Sequence, residues 1–117
     1  MGILGFLGSA QRSQAAKTDV DPTEVQAHLD AGALLIDVRE PNEWRAGHAK
    51  GARHIPLGQL SAHLARLPKD KELLFICASG SRSGVATSLA RGAGLDKALN
   101  VRGGMQAWLW AGLPAVR

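Results

Sequence analysis

The chain has 117 residues, with 14 lysines and arginines against 10 acidic residues, which gives a formal charge of +4. That length suits one domain that buries its own core without a metal or a disulfide. Cys77 is the single cysteine, so an internal disulfide is excluded and a reducing compartment is favoured. The basic residues are scattered and are not interleaved with aromatic side chains, so we expect no nucleic-acid partner.

The first 17 residues begin with the apolar stretch MGILGFLG and continue with small and polar residues. The apolar stretch lacks a basic leading region and is interrupted by Gly5 and Gly8, which argues against a signal peptide. No segment has the length of a membrane span. We therefore predict a flexible N-terminal extension at 1–17, a domain at 18–117, and a cytoplasmic protein with no membrane partner.

Strand and helix signals alternate through the first part of the domain. Asp21 is an acidic N-cap, Pro22 stands at the first helical position, and Glu24 completes a capping box, so the first helix begins there. The predicted elements are a strand near 18, a helix at 21–32, a strand at 34–36, a helix at 41–47, a strand at 52–55 and a helix at 57–67. The four histidines lack metal-ligand spacing, so no metal site is predicted and each is expected at a surface or hydrogen-bonding position.

The stretch LLFICASGSRSG, residues 73–84, contains the residues predicted to be reactive. Four apolar residues predict a buried strand, Cys77 follows it, and small residues lead into a helix from Ser83 onward. Such a loop gathers backbone N–H groups at the positive end of a helix dipole, where an anion is stabilised. Cys77 would be a nucleophilic thiolate in that field, with Arg82 at the far end of the loop. The alternative is a cysteine that serves only as a small buried hydrophobic residue.

The last part of the chain predicts a strand at 97–101 and a final helix after Gly103 and Gly104. Trp108 is expected in the core, and Trp110 either covers an edge or lies exposed. The alternation of strands and helices predicts an α/β layer sandwich with a mainly parallel sheet.

Polar residues follow two of the predicted strands. Asp37 and Arg39 come at the end of one, and Cys77 comes at the end of another. Ligand sites of parallel sheets lie beyond the carboxyl ends of the strands, so we expect one shared site. Asp37 is expected mainly to hold the loop through an ion pair and hydrogen bonds.

Three stretches, in this order, resemble a single-domain rhodanese: LLIDVREPNEWRAGHAKGARHIP, FICASGSRSGVAT and NVRGGMQAWLWAGLP. The resemblance runs from about Thr18 to the end of the chain. It implies a rhodanese-like three-layer α/β sandwich, whose mainly parallel central sheet is flanked by helices. It also implies a sulfurtransferase that uses neither a metal nor an organic cofactor. In rhodaneses the thiolate takes a sulfane sulfur from a donor such as thiosulfate, holds it as a persulfide, and passes it to a thiol or cyanide.

The resemblance also implies roles for individual residues. Cys77 matches the nucleophile, and Arg82 would close the loop and help to receive an anionic donor. Asp37 matches the Asp-x-Arg of the first motif and is expected to be structural near the site. The implied substrate-binding residues are Ala78, Ser79, Gly80, Ser81, Ser83 and Arg39. The implied partners are a small anionic sulfur donor and, as acceptor, a low-molecular-weight thiol or a thioredoxin-like or sulfur-carrier protein.

Two other functions stay open. The first is that of a small phosphatase or arsenate reductase of the related fold. The related phosphatase group has five residues between its cysteine and arginine, whereas only Ala78 to Ser81 stand between Cys77 and Arg82; the narrower cradle fits one sulfur atom better than a phosphoryl group. The second is that of a noncatalytic binding or redox-sensing module, which would use Cys77 as a regulatory thiol and would turn over no sulfur.

Overall fold

The structure, a computed structural model, describes residues 17–117. The predicted extension lies outside this range except for its last residue, Lys17. The strands are β1 (Asp19–Val20), β2 (Leu34–Asp37), β3 (His48–Ala49), β4 (Ala52–His54), β5 (Leu73–Ile76), β6 (Ala98–Val101) and β7 (Ala115–Val116). The helices are α1 (Val25–Asp30), α2 (Pro41–Ala46), α3 (Leu57–His63), α4 (Ser81–Gly92) and α5 (Gly104–Trp110), with short 3-10 turns at Pro22–Glu24 and Leu64–Arg66.

Five strands form one sheet in the order β1-β6-β5-β2-β4, and every neighbouring pair is parallel. This confirms the mainly parallel central sheet. The register sets Asp37 of β2 beside Ile76 of β5 and His54 of β4. The carboxyl ends of β2 and β5 therefore lie side by side. β3 and β7 form a separate antiparallel pair that was not predicted, because strands of two residues are too short to show a periodic pattern.

Alternate residues of β5 face two separate hydrophobic cores, as the period-2 geometry of a strand requires. Leu74 and Ile76 pack in one core with side chains of α1 and α5. Leu73 and Phe75 pack in the other with side chains of α3 and α4. Helices thus cover both faces of the sheet, which confirms the three-layer sandwich. Cys77 continues the alternation and belongs to the α4 side.

The helix boundaries agree with the sequence patterns except at three places. The helix predicted at 21–32 begins with a 3-10 turn and is α-helical only over Val25–Asp30. Helix α4 begins at Ser81, two residues before the predicted start, because Gly80 caps it in a left-handed conformation at φ +104°. The helix predicted at 57–67 is α-helical only to His63 and ends in a 3-10 turn. Trp108 is buried as predicted, and Trp110 is 93% exposed. Within residues 17–117, no helix is long and apolar enough to cross a bilayer.

Gly104→Ala should destabilise the fold, because Gly104 has a φ of +57° and a Cβ there would collide with the carbonyl oxygen of Cys77 and the backbone of Ala78. We expect the free energy of unfolding to fall by about 2–4 kcal/mol. The matched control is Gly92→Ala, at the last position of α4, where an added Cβ meets nothing within 4 Å. Urea denaturation measures both variants, and equal stabilities would contradict the tight approach of α5 to the loop.

Candidate functional site

The sulfur of Cys77 lies at the start of α4 and is surrounded by hydrogen-bond donors. The side chain is only 1% exposed. The amide of Gly80 donates to Sγ at 3.1 Å, and the hydroxyl of Ser83 donates to it at 3.2 Å. The predicted cradle is therefore present in part, and it includes a hydroxyl as well as amides.

The surroundings of Cys77 favour the thiolate. Burial is the largest single effect and raises the pKa of the thiol, but the Ser83 hydroxyl and the amides of Ser83, Gly80 and Ser79 together outweigh it, so the pKa lies below its usual value of 9.0. Hydrogen bonds to the charged form have this effect in general. A larger fraction of Cys77 is therefore nucleophilic at neutral pH than in an exposed cysteine.

Not every residue of the predicted cradle contacts the sulfur. Among the described residues, neither Ala78 nor Ser81 donates a hydrogen bond to Sγ. Ala78 is held instead by its carbonyl, which accepts from the amide of Gln106 at 3.0 Å. The carbonyl of Cys77 accepts in the same way from the amide of Met105 at 2.7 Å. The first turn of α5 thus fixes the backbone on which the sulfur sits.

Asn100 of β6 holds the other side of the loop, and sequence reasoning missed it. Its Nδ2 donates to the carbonyl of Gly80 at 3.1 Å, and its Oδ1 accepts from the Ser83 hydroxyl at 2.6 Å. A hydroxyl has one hydrogen, so Ser83 can donate to Asn100 or to Cys77, but not to both at once. A thiolate draws that hydrogen towards sulfur, and a neutral thiol leaves it with Asn100.

Asp37 and Arg39 form a buried clamp at the end of β2. The Nε of Arg39 donates to both carboxylate oxygens of Asp37 at 3.0 Å, and its Nη2 donates to Oδ2 at 2.8 Å and to the carbonyl of Gly47 at 2.7 Å. Arg39 is 7% exposed and Asp37 is fully buried. These contacts fit the structural role expected of Asp37, whereas none of them gives Arg39 the substrate-binding role expected of it.

The guanidinium of Arg82 binds Glu43 of α2. Nη1 and Nη2 donate to the two carboxylate oxygens of Glu43 at 2.7 Å and 2.9 Å, and both side chains are partly exposed. The hydrogen bond from Arg82 lowers the pKa of Glu43 to about 2. Sequence reasoning placed Glu43 in the second helix but gave it no role at the site.

Trp44 stacks with two histidine rings next to the clamp. The centroid of the His48 ring is 3.4 Å from that of Trp44 and the His54 ring is 4.8 Å away, with both stacks nearly parallel. His54 also donates from Nε2 to the carbonyl of Arg39 at 2.7 Å. In the described part of the chain, no group of three or more His, Cys, Asp or Glu side chains is arranged to hold a metal ion.

Comparison with known proteins identifies one protein family. The profile of the Rhodanese-like domain family matches residues 21–111. A protein named sulfurtransferase from Allochromatium vinosum is 36% identical over 83 residues, which cover 71% of this chain and 78% of that protein. The solved human single domain sulfurtransferase TSTD1 has a TM-score of 0.74 and 33% identity, covering 81% of this chain and 97% of TSTD1.

Another relative is much longer than this chain. The probable adenylyltransferase/sulfurtransferase MoeZ of Mycobacterium tuberculosis is 39% identical over 101 residues. That match covers 82% of this chain and 26% of MoeZ. The chain therefore corresponds to about a quarter of that relative.

Ser83→Ala should raise the pKa of the Cys77 thiol, because it removes the hydroxyl that donates to sulfur. We expect alkylation by iodoacetamide at neutral pH to slow about tenfold. The protein has one cysteine, so the pH dependence of alkylation reports on Cys77 alone. Ser88→Ala, at an exposed position of α4, is the control. An unchanged alkylation profile in Ser83→Ala would show that the hydroxyl does not stabilise the thiolate.

Glu43→Gln should reduce the acid sensitivity of the fold. The pKa of Glu43 is lowered from 4.5 to about 2 in the folded protein, so its stabilising effect is present above pH 4.5 and is lost as the pH falls towards 2. The free energy of unfolding, measured in urea, should fall less in the variant than in the wild type between about pH 5 and about pH 3. Asp21, whose pKa is also lowered, chiefly by the amide of Thr23, leaves the variant some acid sensitivity. Equal falls would mean that the ion pair adds nothing to stability.

Proposed function

The chain belongs to the rhodanese-like domain family, and on that basis we propose that it is a sulfurtransferase in which Cys77 carries sulfane sulfur as a persulfide. The relatives that bear the name sulfurtransferase support that activity in general. The observation that carries the proposal is the set of donors around Sγ, the Gly80 amide and the Ser83 hydroxyl, which favours a thiolate at a buried position.

Sulfur transfer needs a group that both attacks and leaves well, and a stabilised thiolate does both. The thiolate of Cys77 attacks the outer sulfur of thiosulfate, the S–S bond breaks, and sulfite leaves with its electron pair. The product is a Cys77 persulfide anion. An acceptor thiolate or cyanide then attacks the outer sulfur of the persulfide and returns Cys77 as a thiolate. The amides and the hydroxyl that stabilise Sγ would also stabilise the negative charge on the persulfide.

The sulfur donor, the sulfur acceptor and the cellular compartment are proposed separately. We propose thiosulfate as the laboratory donor, a low-molecular-weight thiol or a thioredoxin-like or sulfur-carrier protein as acceptor, and a cytoplasmic setting. No step of this chemistry requires a metal or an organic cofactor. A phosphatase is less well supported, because only four residues stand between Cys77 and Arg82, where the related phosphatases have five, and the shorter loop leaves less room for a phosphoryl group.

The test is the intact mass of the protein after incubation with thiosulfate and desalting, with sulfite release followed in the same tube. We expect the wild type to gain one sulfur atom and to lose it to cyanide as thiocyanate. Cys77→Ser should gain none while keeping the wild-type urea denaturation curve, because the substitution is nearly isosteric. Sulfur uptake by Cys77→Ser would remove Cys77 from the mechanism. Oxygen uptake after peroxide, without sulfur uptake from any donor, would favour a redox sensor.

A further inference from the structure

The side-chain amide of Asn100 can face its two partners in only one orientation. One end of the amide lies 3.1 Å from the backbone carbonyl of Gly80, and a carbonyl can only accept, so that end is the NH2 group. The other end is therefore Oδ1, which lies 2.6 Å from the hydroxyl oxygen of Ser83. Because Oδ1 can only accept, the hydrogen of Ser83 has two competing acceptors, Oδ1 of Asn100 and Sγ of Cys77 at 3.2 Å.

The hydrogen of Ser83 has a different partner in each charge state of Cys77. When Cys77 is a thiol, its S–H can donate to the Ser83 oxygen while Ser83 donates to Asn100, so all three side chains are paired. When Cys77 is a thiolate, Ser83 turns its hydrogen to the sulfur and Oδ1 of Asn100 loses its donor. In the described part of the chain, no second group donates to Oδ1. An acceptor that is left unpaired away from water costs free energy, so Asn100 favours the thiol.

Packing keeps the three side chains in these positions. Ser83 is fully buried and Cys77 is 1% exposed, while Asn100 is half-buried. The Nδ2 atom of Asn100 lies close to two glycines of the loop and the first turn of α4, because a Cβ would be 3.9 Å from it at Gly80 and 3.5 Å from it at Gly84. The competition for the hydrogen therefore takes place where little water can replace a lost contact.

The charged groups at this end of the sheet do not take part in the competition. They form ion pairs with one another: Arg82 with Glu43, Arg39 with Asp37, and Arg102 with Asp19. Arg82 of α4 interacts with the charge of Cys77 and of Glu40, and His54 of β4 contacts a backbone carbonyl. Strand β5 and helix α5, which pack beside the loop, contain no charged residue. Substitution of Asn100 leaves all of these groups in place.

We propose that Asn100 is a positioning residue of the sulfur-transfer reaction, which draws the Ser83 hydrogen away from Cys77 and so limits the stabilisation of the thiolate. This inference rests on the proposed sulfurtransferase function and adds a residue to it. A strongly stabilised thiolate is a weaker nucleophile, and a thiol attacks an S–S bond fastest when its pKa lies near the ambient pH. Asn100 therefore keeps the sulfur reactive. No proton passes to Asn100, because the hydrogen stays on the Ser83 oxygen and turns between two acceptors.

The variant Asn100→Ala removes the competing acceptor, and Asn42→Ala is its matched control. Asn42 is the only other asparagine of the chain and is exposed in α2. The rate of alkylation by iodoacetamide is measured as a function of pH, and it reports on the single cysteine. In Asn100→Ala we expect the midpoint of the curve to fall by about one pH unit. The rate at high pH should fall about threefold, because nucleophilicity falls with the pKa. Asn42→Ala should change neither value.

The direction of the change separates this role from a structural one. If Asn100 only held the Gly80 carbonyl, its loss would loosen the loop and weaken the contact from the Gly80 amide to the sulfur, so the midpoint would rise. A midpoint that rises or stays unchanged in folded Asn100→Ala would overturn the inference. Urea denaturation shows whether the variant folds. If it does not fold, Asn100→Leu is measured with the same expectation, because leucine keeps the branched shape without either polar atom.

The double variant Ser83→Ala/Asn100→Ala tests whether Asn100 acts through the hydroxyl. Without the hydroxyl there is no hydrogen to compete for, so the midpoint should equal that of Ser83→Ala, and a further fall would contradict the inference. Sulfite release from thiosulfate, followed over the same pH range, should show the same fall of the midpoint in Asn100→Ala. If the wild type releases no sulfite while the alkylation midpoints move as expected, the proposed function fails and the effect of Asn100 on the thiolate stands.

Discussion

The hydrogen bonds that the sulfur of Cys77 receives at the start of α4 decide what this cysteine can do. Burial alone would raise the pKa of the thiol and leave a small hydrophobic residue, and the Ser83 hydroxyl, together with the amides of Ser83, Gly80 and Ser79, reverses that effect. These donors are in place because β5 directs Cys77 to the α4 side of the sheet, and because Asn100 holds Gly80 and Ser83 from β6. The reactivity of one atom thus depends on three neighbouring elements.

The sequence predicted those features of the site whose causes are local. The capping box at Asp21, the apolar run before Cys77 and the small residues after it each leave a pattern within a few positions, and the structure agrees with all three. The contacts that were missed join distant parts of the chain. Glu43 lies 39 residues from Arg82, and Asn100 lies 17 residues from Ser83. No local period marks such pairs, because they arise only when the parallel strands align their carboxyl ends.

Both arginines that the sequence placed near the site have carboxylate partners, but the two pairs differ in exposure. Arg39 and Asp37 are buried together, and breaking such a pair leaves an uncompensated charge in the interior, which is strongly destabilising. Arg82 and Glu43 are partly exposed, where an ion pair contributes less to stability than a buried pair and can exchange partners with solvent. The first pair therefore suits a fixed clamp, and the second suits a contact that can open and form again.

The stabilisation of the thiolate and the charge beside the loop are therefore two separate properties of the site. The thiolate of Cys77 is stabilised mainly by neutral donors, which belong to the loop and the first turn of α4. The Glu43–Arg82 pair makes no hydrogen bond to the sulfur. A change in the charge of that pair consequently leaves the hydrogen bonds to the sulfur in place. The charge beside the loop and the state of the thiolate thus depend on different residues, the charge on Glu43 and Arg82 and the thiolate chiefly on Ser83 and Gly80.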